Sequence, residues 1–212
     1  MQDRGRPSNG MFICVQNKIK SCVSDVSPGH WRVQAVMIQS RSSQTLLINS
    51  YFPFDQREAE ESQERVENDL IETLGVIRNA ILNTKCGAVI WGGDIIADFA
   101  RDNRHTGLVK ELLGELNLVT IWDTFEADFT CVYEREGVSY LSLLDHFIAS
   151  EGLGQEILEA GVIHHPDNFS DHSPIFCVLR SITISNSSKE AFPECKKPSW
   201  KRASSIQKET CK

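Results

Sequence analysis

The chain has 212 residues, of which 41% are hydrophobic, and its formal net charge is −7 at neutral pH. This length and composition suit one domain with a buried core. The acidic balance argues against strong sequence-independent nucleic-acid binding, which usually needs a surplus of lysine and arginine, but it does not exclude a nuclease, because an acidic metal site is itself negative.

Targeting signals and cysteine frameworks are both unfavoured by the sequence. No apolar run reaches the roughly 20 residues of a membrane-spanning helix, and residues 1–9 are too polar for a signal peptide. The seven cysteines are scattered and contain no Cys-x-x-Cys pair, which argues against a disulfide framework or a zinc ribbon. We therefore expect an intracellular protein with no membrane partner.

The first third of the chain alternates strand and turn signals. Apolar and β-branched runs predict strands at 11–17, 31–38 and 45–51, with a turn at Pro28 and Gly29 between the first two. After the third strand, Asp55 is a plausible N-cap for a long helix. The inward face of that helix is predicted to consist of Val66, Leu70, Leu74, Ile77 and Ile81, which recur at helical spacing.

The remaining elements predict a mixed fold. A second helix is expected after Thr106, with four leucines facing inward: Leu108, Leu112, Leu113 and Leu116. Further strands are predicted at 86–91, 118–122, 129–133, 140–149, 161–164 and 174–180. Because several strands follow one another directly, we expect a mixed α/β layer fold over residues 8–182 rather than a doubly wound parallel sheet. The Ser-, Lys-, Pro- and Glu-rich segment 183–212 is expected to be a linker or disordered tail.

Short motifs with chemical potential stand at strand ends. They are NSYFP at 49–53, WGGD at 91–94, LDHF at 144–147 and SDHSP at 170–174. Each has an ordinary structural explanation when taken alone, such as a turn for an aspartate after two glycines or a core position for a tyrosine. The aspartate of LDHF is harder to dismiss, because a carboxylate within an apolar strand is costly to bury without a partner.

Together the motifs suit hydrolysis of a phosphodiester. Asp94 and Asp171 offer the hard oxygen ligands that Mg²⁺ prefers, and a bound Mg²⁺ stabilises negative charge on a phosphate. His172, held by Asp145, could stay cationic or act as a base near neutral pH. Tyr51 could donate a hydrogen bond to a phosphate oxygen.

The order and spacing of these motifs resemble the endonuclease/exonuclease/phosphatase superfamily. The stretches LLINSYFPFD, GGDIIADFARDNRHT and SLLDHFIAS resemble more narrowly the apurinic-type endonucleases of non-LTR retrotransposons, over roughly residues 8–180. The resemblance implies a four-layer sandwich, in which two packed mixed β-sheets are flanked by helices. It also implies DNA as the substrate, and a nuclear location if the chain acts on DNA.

The resemblance implies a role for each motif residue. The catalytic set would be Tyr51, Asp94, Asp145 and His172, and the metal, Mg²⁺ or Mn²⁺, would be held by Asp171 and Asp94. Thr130 matches a threonine position often found in these elements. The stretch KPSWKRASSIQK at 197–208 resembles the junction that leads to the reverse transcriptase, so a reverse-transcriptase domain in a parent element is the implied partner.

The sequence departs from the family pattern at two places. The family usually has an asparagine two residues after the GGD aspartate, whereas this chain has Ile96. The family's first strand, helix and second strand, which ends in a metal-binding glutamate, have no counterpart in the chain. We therefore expect weakened metal binding and an impaired, N-terminally truncated enzyme.

Other interpretations stay open at the level of sequence. A phosphoesterase of the same superfamily acting on a lipid or inositol phosphate would carry the same motifs, and a non-enzymatic remnant of a retroelement could also retain them. The basic residues at 196–202 are more typical of a solvated linker than of a binding patch. His164 and His165 do not favour a shared metal site, because adjacent residues of a strand point to opposite faces. The Arg101–His105 loop could lie near a substrate strand or simply be a solvated loop before a helix.

Overall fold

The computed structural model describes residues 11–40, 43–53 and 60–180, without side-chain detail at 60–62. The predicted N-cap Asp55, residues 8–10 and 181–182 of the predicted domain, and the predicted tail 183–212 lie outside these residues. None of the described helices is long and apolar enough to cross a membrane.

The regular elements mix strands and helices along the chain. The strands are β1 (Val23–Asp25), β2 (Val33–Gln39), β3 (Gln44–Tyr51), β4 (Ala88–Asp94), β5 (Leu118–Thr120), β6 (Cys131–Arg135), β7 (Val138–Ser142), β8 (Asp145–Ser150), β9 (Ile157–Val162) and β10 (Ile175–Leu179). The α-helices are α1 (Glu60–Asn83), α2 (Arg104–Leu116) and the short α3 (Glu151–Gly154), and 3₁₀ helices span Asn17–Cys22 and Ile121–Asp123.

A six-stranded mixed sheet organises the described part of the chain. Its strand order is β1-β2-β3-β4-β8-β5, with β3 and β4 parallel and the other neighbours antiparallel. Two hairpins, β6-β7 and β9-β10, form separate two-stranded antiparallel sheets.

The large sheet buries apolar side chains on both of its faces. Alternate residues of its strands, such as Ala35, Leu46 and Trp91, pack with α1 and α2 in the main core cluster. On β8 the alternation is visible directly, since Ile148 belongs to that cluster and the next residue, Ala149, belongs to a second one. The second cluster joins β8 to the β9-β10 hairpin, so two sheets pack face to face with helices outside the larger one. This arrangement confirms the predicted mixed α/β fold.

The predicted strand at 11–17 is wrong. Residues 11–16 form no regular element, and a 3₁₀ helix begins at Asn17. The edge strand β1 instead lies in the polar stretch between the first two predicted strands, before the turn predicted at Pro28 and Gly29. It is short because the chain turns at once, with the Asp25 carboxylate accepting a hydrogen bond from the Ser27 amide at 2.9 Å.

The predicted single strand at 140–149 is also wrong. The chain leaves the β6-β7 hairpin after Ser142 and enters the large sheet only at Asp145. At this break the buried hydroxyl of Thr130 accepts hydrogen bonds from the amides of Leu144 and Asp145, both at 2.9 Å. An apolar run without glycine or proline carries no visible signal for such a side-chain-stabilised break.

Candidate active site

The motif residues of three neighbouring strands meet where these strands end, along one edge of the large sheet. β3 ends at Tyr51, β4 ends at Asp94, and β8 begins at Asp145. Tyr51 is in register with Asp94 across the parallel pair, and Asp94 is in register with Asp145 across the antiparallel pair. Because residues paired across strands share a face, the two carboxylates stand side by side.

The two glycines before Asp94 allow its strand to approach its neighbours closely. Gly93 has a φ of 142°, and a Cβ built there would lie 1.9 Å from the Ser50 carbonyl oxygen. A Cβ on Gly92 would lie 2.9 Å from the Phe147 ring. The GGD motif is therefore a packing requirement of β4 as well as a means of placing Asp94.

A separate loop brings His172 to this edge. His172 forms an isolated antiparallel bridge with Cys131, and the Val132 amide donates to the Asp171 carbonyl at 2.8 Å. The Asn168 side-chain amide donates to the His172 carbonyl, also at 2.8 Å. The loop is thus attached to the base of the β6-β7 hairpin, and Asn168 is a positioning residue that the sequence did not reveal.

Asp94, Asp145 and His172 form a compact polar group. His172 donates from Nδ1 to Asp145 Oδ2 at 2.7 Å, and its Nε2 lies 3.9 Å from Asp94 Oδ2. One ligand atom from each of the three residues lies within 4.8 Å of the others, which makes this a group that could hold a metal ion. Asp171 is exposed and stands outside this group, although its charge acts on both Asp94 and His172.

Burial and the interactions among these side chains shift the pKa values of Asp94 and His172. Burial, followed by repulsion from Asp145, raises the pKa of Asp94 to about 7, although the charge of His172 and the Ile96 amide oppose the shift. The hydrogen bond to Asp145 is the main cause that raises the pKa of His172 to about 9, against the effect of burial. At neutral pH His172 is therefore mainly imidazolium, while Asp94 is poised between its two protonation states.

The stability of the metal-free protein should consequently fall at alkaline pH. A raised His172 pKa stabilises the folded state fully below about pH 6.5, and the effect disappears as the pH rises through about 9. The raised pKa of Asp94 affects stability at lower pH. Ionising this carboxyl in the folded state costs stability between its ordinary pKa and about pH 7. Allowing for solvent screening, we expect the unfolding free energy to drop by about 1–2 kcal/mol between about pH 7 and pH 9.5.

Urea denaturation with a chelator present measures this drop directly. His172→Ala should flatten the curve in this interval, whereas His165→Ala, at an exposed histidine outside the group, should leave its slope unchanged. A wild-type curve that is flat over this interval would contradict the assignment of the proton to His172.

Thr130 and Trp122 hold the backbone of Asp145 in place. Thr130 is fully buried, and its Oγ1 accepts from two consecutive amides, including that of Asp145. Trp122 donates from Nε1 to the Asp145 carbonyl at 3.1 Å. The family resemblance pointed to Thr130 without giving its role, and no sequence signal pointed to Trp122.

Thr130→Val should destabilise the protein by about 2–3 kcal/mol, because the isosteric valine leaves two buried amides without an acceptor. Thr130→Ser should retain most of the stability, since it keeps the hydroxyl. Urea unfolding of the two variants measures the difference. Equal stabilities for valine and serine would mean that the hydroxyl does not hold these amides.

The loop after Asp94 is tied to the sheet by His146. This fully buried histidine donates from Nε2 to the Ala97 carbonyl at 2.7 Å, and its ring packs on Phe99. Burial lowers its pKa, which keeps the ring neutral. His146 is therefore a structural neighbour of Asp145 and does not enter the polar group.

Ile96 occupies an unfavourable backbone conformation. Its φ is 51°, in the left-handed region that is strained for a β-branched residue and that asparagine tolerates better. Two nearby polar residues have structural roles: Asn103 caps α2 by accepting from the Thr106 amide at 2.8 Å, and Asp98 pairs with Arg101 at 3.1 Å. Arg101 also donates to Ser142 at 2.9 Å, so the loop before α2 is fastened to the base of the β6-β7 hairpin. Arg104 and His105, which were predicted to lie in that loop, already belong to α2.

The two adjacent histidines have separate partners. His164 contacts Asp128 at 3.0 Å and Ser173 at 3.1 Å, and its ring packs against Phe129. The His165 ring accepts from the Asp167 amide at 3.1 Å. Neither belongs to the potential metal group found within 11–40, 43–53 and 60–180.

The polar group fits a divalent cation by the chemistry of its donors. Asp94 Oδ1 is buried and has no hydrogen-bond partner in the described residues. Burying a carboxylate oxygen without a hydrogen-bond partner costs folding free energy. Hard divalent cations such as Mg²⁺ prefer carboxylate oxygens as ligands. No glutamate belongs to the group as described.

Comparison with known proteins found relatives by structure alone. No family model and no curated protein match the chain. The endonuclease domain of TRAS1, a telomere-specific non-LTR retrotransposon, aligns with a TM-score of 0.56 and 22% identity over 75% of this chain and 68% of that domain. The 3′ phosphatase NExo from Neisseria, solved with a product DNA hairpin, aligns with a TM-score of 0.57 and 17% identity over 74% of this chain and 70% of that structure.

A third solved structure extends the same pattern. The AP endonuclease LMAP from Leishmania major aligns with a TM-score of 0.56 and 17% identity, over 72% of this chain and 55% of that one. The chain therefore shares the fold of these endonucleases and of this phosphatase, which is the fold that the resemblance to the endonuclease/exonuclease/phosphatase superfamily implied. A retrotransposon endonuclease is among its structural neighbours.

Proposed function

We propose that the chain is a divalent-metal-dependent phosphodiester hydrolase domain of retrotransposon origin that nicks DNA. The observation that carries the proposal is the group of Asp94, Asp145 and His172 at one edge of the sheet, with a carboxyl of pKa about 7 beside an imidazolium. Two proteins with a similar fold, an endonuclease and a phosphatase that was solved with DNA, support a nucleic-acid substrate.

His172 binds the scissile phosphate in this proposal. Its Nδ1–H is committed to Asp145, so Nε2–H is the donor that can meet a phosphate oxygen. The ring is about a third exposed, which leaves that side open to a substrate. A fixed imidazolium stabilises the negative charge that develops on phosphorus-bound oxygens during the displacement.

Asp94 activates the attacking water. A base is most effective when its pKa lies near the working pH, and in the metal-free site burial raises the pKa of Asp94 to about 7. Its carboxylate takes a proton as the water oxygen bonds to phosphorus, and the bond from phosphorus to the leaving oxygen breaks. Tyr51, which is 39% exposed at the neighbouring strand end, offers a further phosphate donor.

Asp94 and Asp171 are the residues that would hold Mg²⁺ or Mn²⁺. When bound, such an ion stabilises charge on the phosphate and on the leaving oxygen. Asp94 supplies the buried oxygen without a partner, and Asp171 supplies an exposed carboxylate on the adjoining loop. With no glutamate in the described group, we expect weak metal affinity.

We further propose that the activity is impaired. Ile96 places an apolar side chain where the resembling family has an amide donor, and loss of one such donor typically costs on the order of a hundredfold in rate. The implied reverse-transcriptase partner belongs to the same proposal, since residues 197–208 resemble the junction to that domain in a parent element.

Nicking of supercoiled plasmid tests the proposal. The chain should relax plasmid slowly with Mg²⁺ or Mn²⁺ and not with a chelator, and Asp171→Ala should abolish the reaction. A nicking rate close to that of an intact homologous endonuclease, lost in Asp171→Ala, would refute the impairment. Hydrolysis of a lipid or inositol phosphate without any nicking would refute DNA as the substrate.

A further inference from the structure

An exposed tryptophan and a stacked arginine lie in the turn just before β2, and the neighbouring strand β3 ends at Tyr51. The Arg32 guanidinium carbon lies 3.8 Å from the centre of the Trp31 ring and 5.7 Å from that of Tyr51. Arg32 also donates from Nη1 to the Tyr51 carbonyl at 3.4 Å. These contacts define a stack of Trp31, Arg32 and Tyr51 whose outer member, Trp31, is 55% exposed.

The stack is in line, across the sheet, with the polar group of Asp94, Asp145 and His172. The Tyr51 amide donates to the Arg32 carbonyl at 3.1 Å, while Tyr51 is in register with Asp94 and Asp94 with Asp145. With neighbouring strands about 4.8 Å apart, Arg32 stands about 10 Å from Asp94 along this row. That distance corresponds to about three nucleotide steps of a stacked strand.

The charges around the stack favour recognition by an aromatic face over recognition by a positive charge. Arg32 already faces Asp69 at 3.8 Å, and Glu72 lies 3.7 Å from His30 on the preceding turn. Arg32 is therefore partly neutralised, and the chain as a whole carries a net charge of −7. A stacking face attracts any base without relying on counterion release.

The Trp31 ring is also held in place before any ligand arrives. The guanidinium covers one side of the Trp31 ring, and the His30 ring lies nearby, with its centre 6.3 Å from that of Trp31. A side chain that is already fixed loses little conformational entropy when a ligand stacks on it.

We propose that Trp31 is a stacking platform for an unpaired base of the substrate strand, a few nucleotides from the scissile phosphate. The inference rests on the proposed function and adds a specificity element to it. A duplex interior offers no free base face, so the platform selects DNA with an unpaired flank over fully paired DNA. Arg32 and Tyr51 act as the support that fixes the ring.

The test measures binding of fluorescein-labelled duplexes to the full chain by anisotropy, with a chelator present to prevent cleavage. The probes are one duplex with short unpaired flanks and the same duplex without them. Trp31→Leu should weaken binding of the flanked duplex about 5- to 150-fold, the range that corresponds to one stacked base. Trp31→Phe should retain most of the affinity, and the loss in Trp31→Leu should change little with salt.

Leu82→Ala serves as the matched control, because Leu82 is 55% exposed near the end of α1, away from the stack. Its affinity should equal that of the wild type. If Trp31→Leu binds the flanked duplex as tightly as the wild type, the platform is refuted while plasmid nicking still supports the proposed function. If the wild type neither binds these duplexes nor nicks plasmid, both proposals fall together.

Discussion

His172→Ala is expected to lower the metal-dependent rate of plasmid nicking by about a thousandfold. The variant removes the imidazolium that we propose binds the scissile phosphate, and it leaves the Asp145 carboxylate without its 2.7 Å partner. Groups that stabilise developing charge or transfer protons typically contribute between about a hundredfold and ten-thousandfold each. The rate should be measured under single-turnover conditions with enzyme in excess, so that a slow reaction remains visible.

Two further variants separate the role of His172 from a general disturbance. Asp145→Asn keeps the shape of the pair but removes the charge that raises the His172 pKa, and it should produce a loss of similar order. His164→Ala is the matched control, because His164 also contacts a carboxylate, Asp128, at 3.0 Å, yet lies outside the metal group. An unchanged nicking rate in His172→Ala would show that this histidine takes no part in the reaction.

The sequence predicted the parts of the site that depend on residue type and strand position. A carboxylate after an apolar run, or inside one, is visible in the chain, and the structure brings Asp94 and Asp145 into register at one edge of the sheet. The contact between His172 and Asp145 was expected from the resemblance, and the structure places these atoms at hydrogen-bond distance. The role of each residue in catalysis stays a prediction.

The parts that sequence could not predict depend on long-range hydrogen bonds. Thr130 bonds to the amide of Leu144, 14 residues further along the chain. This bond interrupts the predicted strand at 140–149 and divides it into β7 and β8. Trp122 reaches Asp145 across 23 residues, and Asn168 fixes His172 through a carbonyl. The edge strand β1 was missed for a different reason, since three polar-flanked residues carry almost no periodic signal.

Ile96→Asn is expected to raise the nicking rate by about tenfold to a hundredfold. The asparagine would supply the amide that the resembling family has at this position, and one preorganised donor of this kind is worth on the order of a hundredfold. The backbone favours the change as well, because asparagine tolerates a φ of 51° that strains isoleucine. The cost is the loss of a partly buried apolar side chain that packs against the main cluster.

Ile96→Gly separates the amide from the backbone. Glycine relieves the strain at the left-handed φ and supplies no side-chain donor. If the asparagine variant nicks faster and the glycine variant does not, the missing amide limits the rate. If both variants gain equally, the strain of the loop that follows Asp94 is the limiting feature. If neither gains, the weakness lies in metal binding, and the activity should then rise with Mg²⁺ or Mn²⁺ concentration in the wild type and in both variants alike.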